Sequence, residues 1–285
     1  MRQHDLKAGA AVRCVRFLMF LALPALAGCG GELYEQRLEN TKIVFAHESL
    51  LRENLQGEWT DADYGIALRI PQKFEVLPPP VRPDPATIPA GEEGENAPEE
   101  EVEVIDDRQP KYLNVELPGL RGAFQARVKA IADNNTEVEG EAWIYVMSNQ
   151  DLADKVEEAK DFSLGFVKTL AGALQMSAPP PESFETARFP VRAGNFVKPL
   201  KYTAVVLKPE DDIAGLPRQF SVYLYENGDV QVVVLFVLPQ NVDGSEKLSE
   251  RIPLCLETLK VGPDRVVPKT PGGAVSGGGP SRESF

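Results

Sequence analysis

The chain has 285 residues, 43% of them apolar and 26% charged, with a formal net charge of −13. That length and composition suit one or two ordinary globular domains, and the acidity argues against a nucleic-acid partner, because contacts to phosphate dominate that kind of affinity. Cys14, Cys29 and Cys255 are the three cysteines; a chain of this size can rest on its hydrophobic core without disulfides.

Arg2, Lys7, Arg13 and Arg16 form a positive start, followed by an apolar run from Phe17 to Ala27. A run this short does not cross a bilayer core, which takes roughly 20 helical residues. Length and flanks therefore predict a secretory signal peptide over residues 1–28. The run ends in Leu26-Ala27-Gly28-Cys29. These residues resemble the lipobox of bacterial lipoproteins. The resemblance implies cleavage between Gly28 and Cys29, with diacylglycerol carried on the Cys29 thiol. Two or more acyl chains hold a protein stably on a membrane, at about 0.8 kcal/mol per buried methylene. The membrane, reached through lipid on Cys29, is thus the first expected partner, and the chain is expected to face the periplasm or cell exterior. Cys14 leaves with the signal, so Cys255 remains as the one thiol.

Residues 33–56 are predicted to form an amphipathic helix. Tyr34, Leu38, Thr41, Phe45, Leu51 and Leu55 recur at helical spacing, with charges such as Glu35, Glu39 and Lys42 between them. Gly57 is the expected stop, so residues 29–57 read as lipid anchor plus helix. The alternative for this stripe is a self-associating stalk, although it spans barely three heptads.

An α+β domain is expected over 58–262. Tyr64–Leu77 is the predicted first strand, with Ile66, Leu68 and Ile70 alternating before Pro71. Residues 78–110 then change character: Pro78, Pro79 and Pro80 lead into a segment rich in proline and carboxylates. Such a segment cannot bury enough apolar area to offset its ordering entropy, so a disordered acidic insertion is expected there. It has no EF-hand spacing for Ca²⁺.

Two or three strands are predicted over 111–148, with a turn at Asp133-Asn134-Asn135. Trp143, Tyr145 and Met147 should line one face and Ala142, Ile144 and Val146 the other, which implies a strand covered on both sides. A helix follows at about 151–176, with Asp151 as a possible N-cap and Gly165 and Gly172 as a kink or close contact. Residues 184–238 read as antiparallel strands, with a hairpin at Asn227-Gly228 that would set Tyr225 opposite Val230. Leu248, Ile252, Cys255 and Leu259 mark a last helix, started by Asp243 or Ser245 and disturbed by Pro253. Residues 263–285 are expected to be a disordered tail.

The order of elements predicts an antiparallel sheet flanked by helices. It resembles the Mog1/PsbP-like fold in three places: the early strand Leu68-Arg69-Ile70-Pro71, the mid-chain helix, and the long hairpin leading to Leu256-Glu257-Thr258-Leu259-Lys260-Val261. Members of that fold mostly act as binding or assembly factors; no functional residue is carried over by a motif.

The residues give no catalytic set. His47 is the one histidine outside the signal, and no G-x-S-x-G occurs, which argues against a Ser-His-Asp site. One histidine and one thiol do not make a zinc site, so no metal ligand is assigned. Cys255, on an apolar stripe, reads as a small hydrophobe. No glycine-rich phosphate loop is present, and no cofactor is expected. Asp61 with Asp63, and Glu139 with Glu141, are the candidate carboxylate pairs, each more typical of a solvated turn. Arg188, Arg192, Lys198, Lys201 and Lys208 form a candidate cationic region, or charges protecting strand edges. The expected function is a non-catalytic, lipid-anchored envelope module that binds or assembles another envelope component. The alternatives are a carboxylate-dependent hydrolase of envelope polymer and a multimerising spacer.

Overall fold

The structure, a computed structural model, describes residues 31–80, 106–131, 135–152, 155–191 and 197–262. The predicted signal peptide with Gly28 and Cys29, most of the acidic insertion and the tail from 263 lie outside the described residues. The chain divides into two compact units. One comprises Met1–Glu53 with Ala193–Lys198, the other Asn54–Arg192 with Pro199–Phe285.

The described part of the first unit is chiefly the helix α1, Gly31–Asn54. Its residues are good helix formers, and Glu39–Lys42 adds an exposed ion pair at 3.5 Å, of little energetic weight. The predicted single stripe is corrected here. Leu33, Ile43, Val44 and Leu50 are exposed alongside Tyr34, Leu38 and Phe45, and at 100° per residue they spread over most of the circumference. The helix also ends before Gly57: β1 starts at Leu55, so the boundary placed at 57/58 moves upstream.

The second unit is an α+β domain, as its order of elements predicts, but it is built on two antiparallel sheets and not on one. The smaller sheet has three strands in the order β1 (Leu55–Asp61), β2 (Ile66–Pro71), β10 (Lys260–Val261). The single strand predicted over Tyr64–Leu77 is thus corrected to two: Ile66–Pro71 is the middle strand of this separate sheet, and Glu75–Val76 is an edge strand of the larger one. The middle strand is preceded by a partner, β1, whose first two residues fall within the predicted helix and whose remainder carries no predicted element.

The larger sheet has seven strands in the order β3-β4-β5-β9-β8-β7-β6. These are β3 (Glu75–Val76), β4 (Leu120–Ile131), β5 (Glu137–Ser148), β6 (Glu185–Phe189), β7 (Leu200–Leu207), β8 (Arg218–Asn227) and β9 (Val230–Pro239). Its centre is β9, whose residues Val232 to Val237 are completely inaccessible on both faces. A run of β-branched and aromatic residues with no polar alternation is what a doubly covered strand requires.

Strand β5 shows how the two faces are made. Trp143, Tyr145 and Met147 join one core with Phe220, Val222, Leu224, Val233, Leu235 and Val237. Ile144 and Val146 point the other way and are equally buried. The first face is covered by helix α3 (Phe162–Ala173), through Phe162, Phe166, Val167 and Leu170, and by the loop bearing Leu113 and Leu117. The second face meets helix α4 (Leu248–Glu257), where the Tyr202 hydroxyl of β7 donates to the Leu256 carbonyl at 2.6 Å.

Several expectations are corrected in detail. The helix predicted at 151–176 is interrupted. A 3-10 turn (Asn149–Leu152) and the short helix α2 (Val156–Lys160) precede α3, and the break falls at Asp161. A Cβ added to Gly165 or Gly172 would meet nothing within 4 Å, so neither glycine is there for close packing. Asp151 caps no helix; it faces Arg121. In the hairpin, Asn227 pairs with Val230 and Tyr225 with Val232, so the turn residues are Gly228 and Asp229. Gly228 has φ +61°, which fits a glycine-first turn. The register differs from the expected one by two residues, and a shift of two leaves every side chain on its expected face. Asp243 accepts from the backbone of Ser245 and caps a 3-10 turn (Gly244–Glu246), not α4. Pro253 lies inside α4 without ending it. The far end of the acidic insertion is also corrected. From Asp106 to Pro110 the chain is described, with Pro110 buried and Arg108 bonded to the Asp106 carboxylate.

Candidate functional site

The strongest candidate is a cleft of about 390 Å³ on the first face of the large sheet. Strand periodicity builds its floor. Glu141, Trp143 and Tyr145 are alternate residues of β5 and so share a face, and Gln125 of β4 stands directly across from Trp143. The loop 106–112 supplies the wall, with Asp107, Arg108, Lys111 and Tyr112 lining the space. The Arg108 guanidinium is chelated by Asp106, with Nε donating to Oδ1 at 2.9 Å and Nη2 to Oδ2 at 2.7 Å. A further bond at 3.1 Å joins Arg108 to the Arg121 carbonyl of β4. The hydrogen bonds from Arg108 hold the Asp106 carboxyl below the usual carboxylate range. This chelate fixes the loop at its start, and the Gln109 side chain, bonded to both backbone groups of Leu117, closes it on itself.

Aromatic groups meet beneath the loop. The Tyr112 ring packs against Trp143 with centroids 4.5 Å apart, and the Tyr112 and Tyr145 hydroxyls lie 3.0 Å from each other. Burial pushes both phenols well above their ordinary range, so they stay protonated and act as neutral hydrogen-bonding groups. Behind them Arg218 is 1% exposed. Its guanidinium sits over the Trp143 ring at 4.5 Å and donates to the carbonyls of Ile213 (2.6 Å) and Glu141 (2.5 Å). Burial lowers the affinity of Arg218 for its proton, although arginine remains charged in proteins. A buried cation held by carbonyl dipoles and one indole face is a rigid support for β5 at the cleft.

A second groove, of about 330 Å³, lies between β8–β9 and the start of α4. Tyr223, Leu238, Asp243, Lys247, Leu248 and Ile252 are among its lining residues. No titratable cluster converges on it comparable to the one at the first cleft.

The residues singled out from sequence are dispersed. Asp61 and Asp63 form a local turn in which the Asp63 N–H donates to Asp61 Oδ1 at 3.2 Å. Glu139 and Glu141 stand across β4 from Lys129 and Arg127, and of the two only Glu141 reaches the cleft. Asp107, the other carboxylate lining it, is paired with Lys111 at 2.9 Å. His47 is half-buried on α1. Cys255 is fully buried in α4, where loss of solvation pushes its thiol far above the usual range and makes it unreactive. Arg188 and Lys201 are cross-strand neighbours at the outer edge of the large sheet, and Lys208 is exposed. Lys198 belongs to the first unit. Arg192 lies outside the described residues. Among the described residues, no group of three or more His, Cys, Asp or Glu is placed to hold a metal, and no helix is long and apolar enough to cross a membrane.

Tyr112 and Arg218 escaped sequence reading. Tyr112 falls within a span predicted as strand, and Arg218 stands at the first position of β8, where the sequence alone suggests a solvated terminal charge. The alternation Glu141-x-Trp143-x-Tyr145, a carboxylate on the same strand face as two large aromatics, was the available signal.

No family model matches the chain, and no curated protein matches it. A solved structure from Bacteroides thetaiotaomicron VPI-5482 is similar at a TM-score of 0.28 and 11% identity, over 69% of this chain and 44% of the other. The chain therefore spans less than half the length of that protein, and a likeness this distant carries no argument about fold or function.

Proposed function

We propose that the chain is a lipid-anchored module of the bacterial cell envelope that binds an envelope component without chemical turnover. The anchor rests on Leu26-Ala27-Gly28-Cys29 and the charged, short apolar stretch before it. One observation carries the binding role. The cleft between loop 106–112 and β5 brings the half-buried Tyr112 ring together with neutral hydrogen-bonding groups, and of its charged side chains Arg108, Asp107 and Lys111 are tied into ion pairs while the Glu141 carboxylate stands exposed at the rim. A preformed pocket with a few fixed polar groups is the usual form of a ligand site. In this reading the covalent lipid sets the location and the cleft sets the specificity.

Two measurements test the two halves. Expression in a bacterial host should give membrane-bound protein bearing a diacylglyceryl mass shift, and Cys29→Ser should abolish both. Retention of the same fraction and mass by the variant would end the anchoring half. Pull-down of the full chain from detergent-solubilised membranes should recover an envelope component, and Glu141→Gln with Tyr112→Ala should release it. Recovery unchanged by those substitutions would remove the cleft from the binding role.

A further inference from the structure

The charge distribution at the cleft narrows what it can hold, an inference that rests on the binding role proposed above. A small anion is disfavoured. Arg108 is chelated by Asp106, and Lys111 is paired with Asp107, while the Glu141 carboxylate, exposed at the rim, repels negative charge. A cation is disfavoured as well. Aromatic surface beside a carboxylate would attract an amine, but the Trp143 face is already occupied by the Arg218 guanidinium at 4.5 Å, and Arg108 and Lys111 line the same space.

What remains uncommitted is neutral or acceptor-only hydrogen-bonding chemistry on one strand face. The Gln125 amide offers both a donor and an acceptor. The Tyr112–Tyr145 pair has two phenolic protons and uses one between its own oxygens. Glu141 offers carboxylate oxygens to hydroxyl donors. These groups lie around the half-buried ring of Tyr112, which supplies apolar contact and is backed by the buried Trp143. A ligand that matches must carry many hydroxyls that both donate and accept, have apolar C–H faces, and bear no net charge. We propose that the cleft binds a neutral saccharide segment, with Gln125, Glu141 and Tyr112, the last backed by the buried Tyr145 hydroxyl, as its hydrogen-bonding residues. The volume of about 390 Å³ lies within the ~300–1,000 Å³ range of small-molecule sites and limits the bound portion to a short segment.

The test is titration of the full-length lipid-anchored protein in detergent with three oligosaccharides of matched length. One is neutral (chitotriose), one cationic (the corresponding glucosamine trimer) and one anionic (a uronic-acid trimer). Calorimetry gives affinity. The fluorescence of a Trp59→Phe variant, in which Trp143 is the remaining indole of the two in the chain, reports the site. Saturable binding of chitotriose with a shift in Trp143 emission is expected. The charged trimers should bind at least tenfold more weakly. Glu141→Gln and Gln125→Ala should each weaken chitotriose binding about tenfold with unchanged thermal midpoints. Tighter binding of either charged trimer with a Trp143 shift would overturn the saccharide assignment and leave the cleft as a ligand site. No Trp143 response to any trimer, together with membrane-component capture that survives the cleft substitutions, would overturn both.

Discussion

The Arg218 guanidinium lies 4.5 Å from the ring centroid of Trp143, and the two residues belong to strands that are not neighbours, β8 and β5, separated by β9. Arg218 reaches across β9 to donate to the Glu141 carbonyl and thereby clasps three central strands. Its wholly buried charge is held by two carbonyls and one indole face. Removing the guanidinium leaves both carbonyls short of a charged donor and opens a cavity. Arg218→Ala is expected to cost about 3 kcal/mol in urea denaturation. Arg218→Met, which restores volume but no donor, should recover part of that loss. A cost below about 1 kcal/mol for the alanine variant would show that the clasp is not structural. The same variant should also change Trp143 emission, since the cation leaves its face.

Glu246, at the end of the 3-10 turn before α4, shows how a buried carboxylate is kept charged. Its side chain is 3% exposed, and Lys73 Nζ lies 2.6 Å away. The Lys129 N–H also donates to it at 3.2 Å. Burial raises the Glu246 carboxyl, but Lys73 and the Lys129 amide together bring it below the ordinary glutamate value. A folded-state value below the unfolded one means stability that is present above the ordinary value near 4.5 and is lost as pH falls through the folded value. Glu246→Gln should therefore flatten the acid limb of the stability–pH curve. Because Lys73 is more than half exposed, the loss at neutral pH should be modest, about 1–2 kcal/mol. Chemical denaturation from pH 3 to pH 7 checks this, and an unchanged acid limb in the variant would contradict it.

At the other end of α4, Glu257 behaves in the opposite sense. Burial pushes its carboxyl from the ordinary 4.5 up to about 7, and its place at the helix C-terminus adds an unfavourable dipole. A raised folded-state value means that the stability contribution is full below pH 4.5 and is lost as pH rises through about 7. Glu257→Gln is expected to leave stability unchanged near pH 4 and to raise it near pH 8. Thermal midpoints of both proteins at the two pH values check the sign. A variant less stable at pH 8 would mean that the charged form makes favourable interactions that outweigh its burial.

Much of the fold follows from periodicity. The Trp143-x-Tyr145-x-Met147 alternation, the unbroken apolar run of β9 and the apolar stripe of α4 identify the two-faced sheet and one of its covers, because burial on both faces leaves no room for polar residues. The turn at Gly228 was visible, but its position was not. Asn227-Gly228 and Gly228-Asp229 are both good turn pairs, and a two-residue shift preserves the pattern that would have distinguished them. Strand β1 was hidden because Leu55 continues a helical spacing from α1, and the ladder that makes it a strand is formed with Pro71 and Leu68, outside any local window. The cleft was largely illegible for the same reason. Tyr112 and Arg218 are separated in sequence by more than a hundred residues and are brought near Trp143 by the sheet order, while each alone looks like an ordinary surface residue. The carboxylate pairs, which were visible, proved to be a turn and the opposite numbers of strand cations.

Gly119 joins the cleft to the frame. It precedes β4, has φ +62°, and accepts from the Ser148 N–H at 2.9 Å across the sheet. A Cβ built on it would stand 2.1 Å from the Ser148 carbonyl oxygen, so a side chain meets backbone that is part of the β4–β5 ladder and cannot yield. The left-handed conformation adds its own cost for any other residue, ~1–2 kcal/mol. Gly119→Ala should therefore lose more than about 3 kcal/mol, beyond the range of ordinary substitutions. The displacement should pass first into the loop 106–118, which is tied to β4 by Arg108 and closed on itself by Gln109. Amide hydrogen exchange is expected to rise across 106–118 before the centre of β9 is affected, and saccharide binding should weaken together with that local opening. Protection lost uniformly across both sheets would show instead that Gly119 serves the whole domain rather than the corner that positions Tyr112.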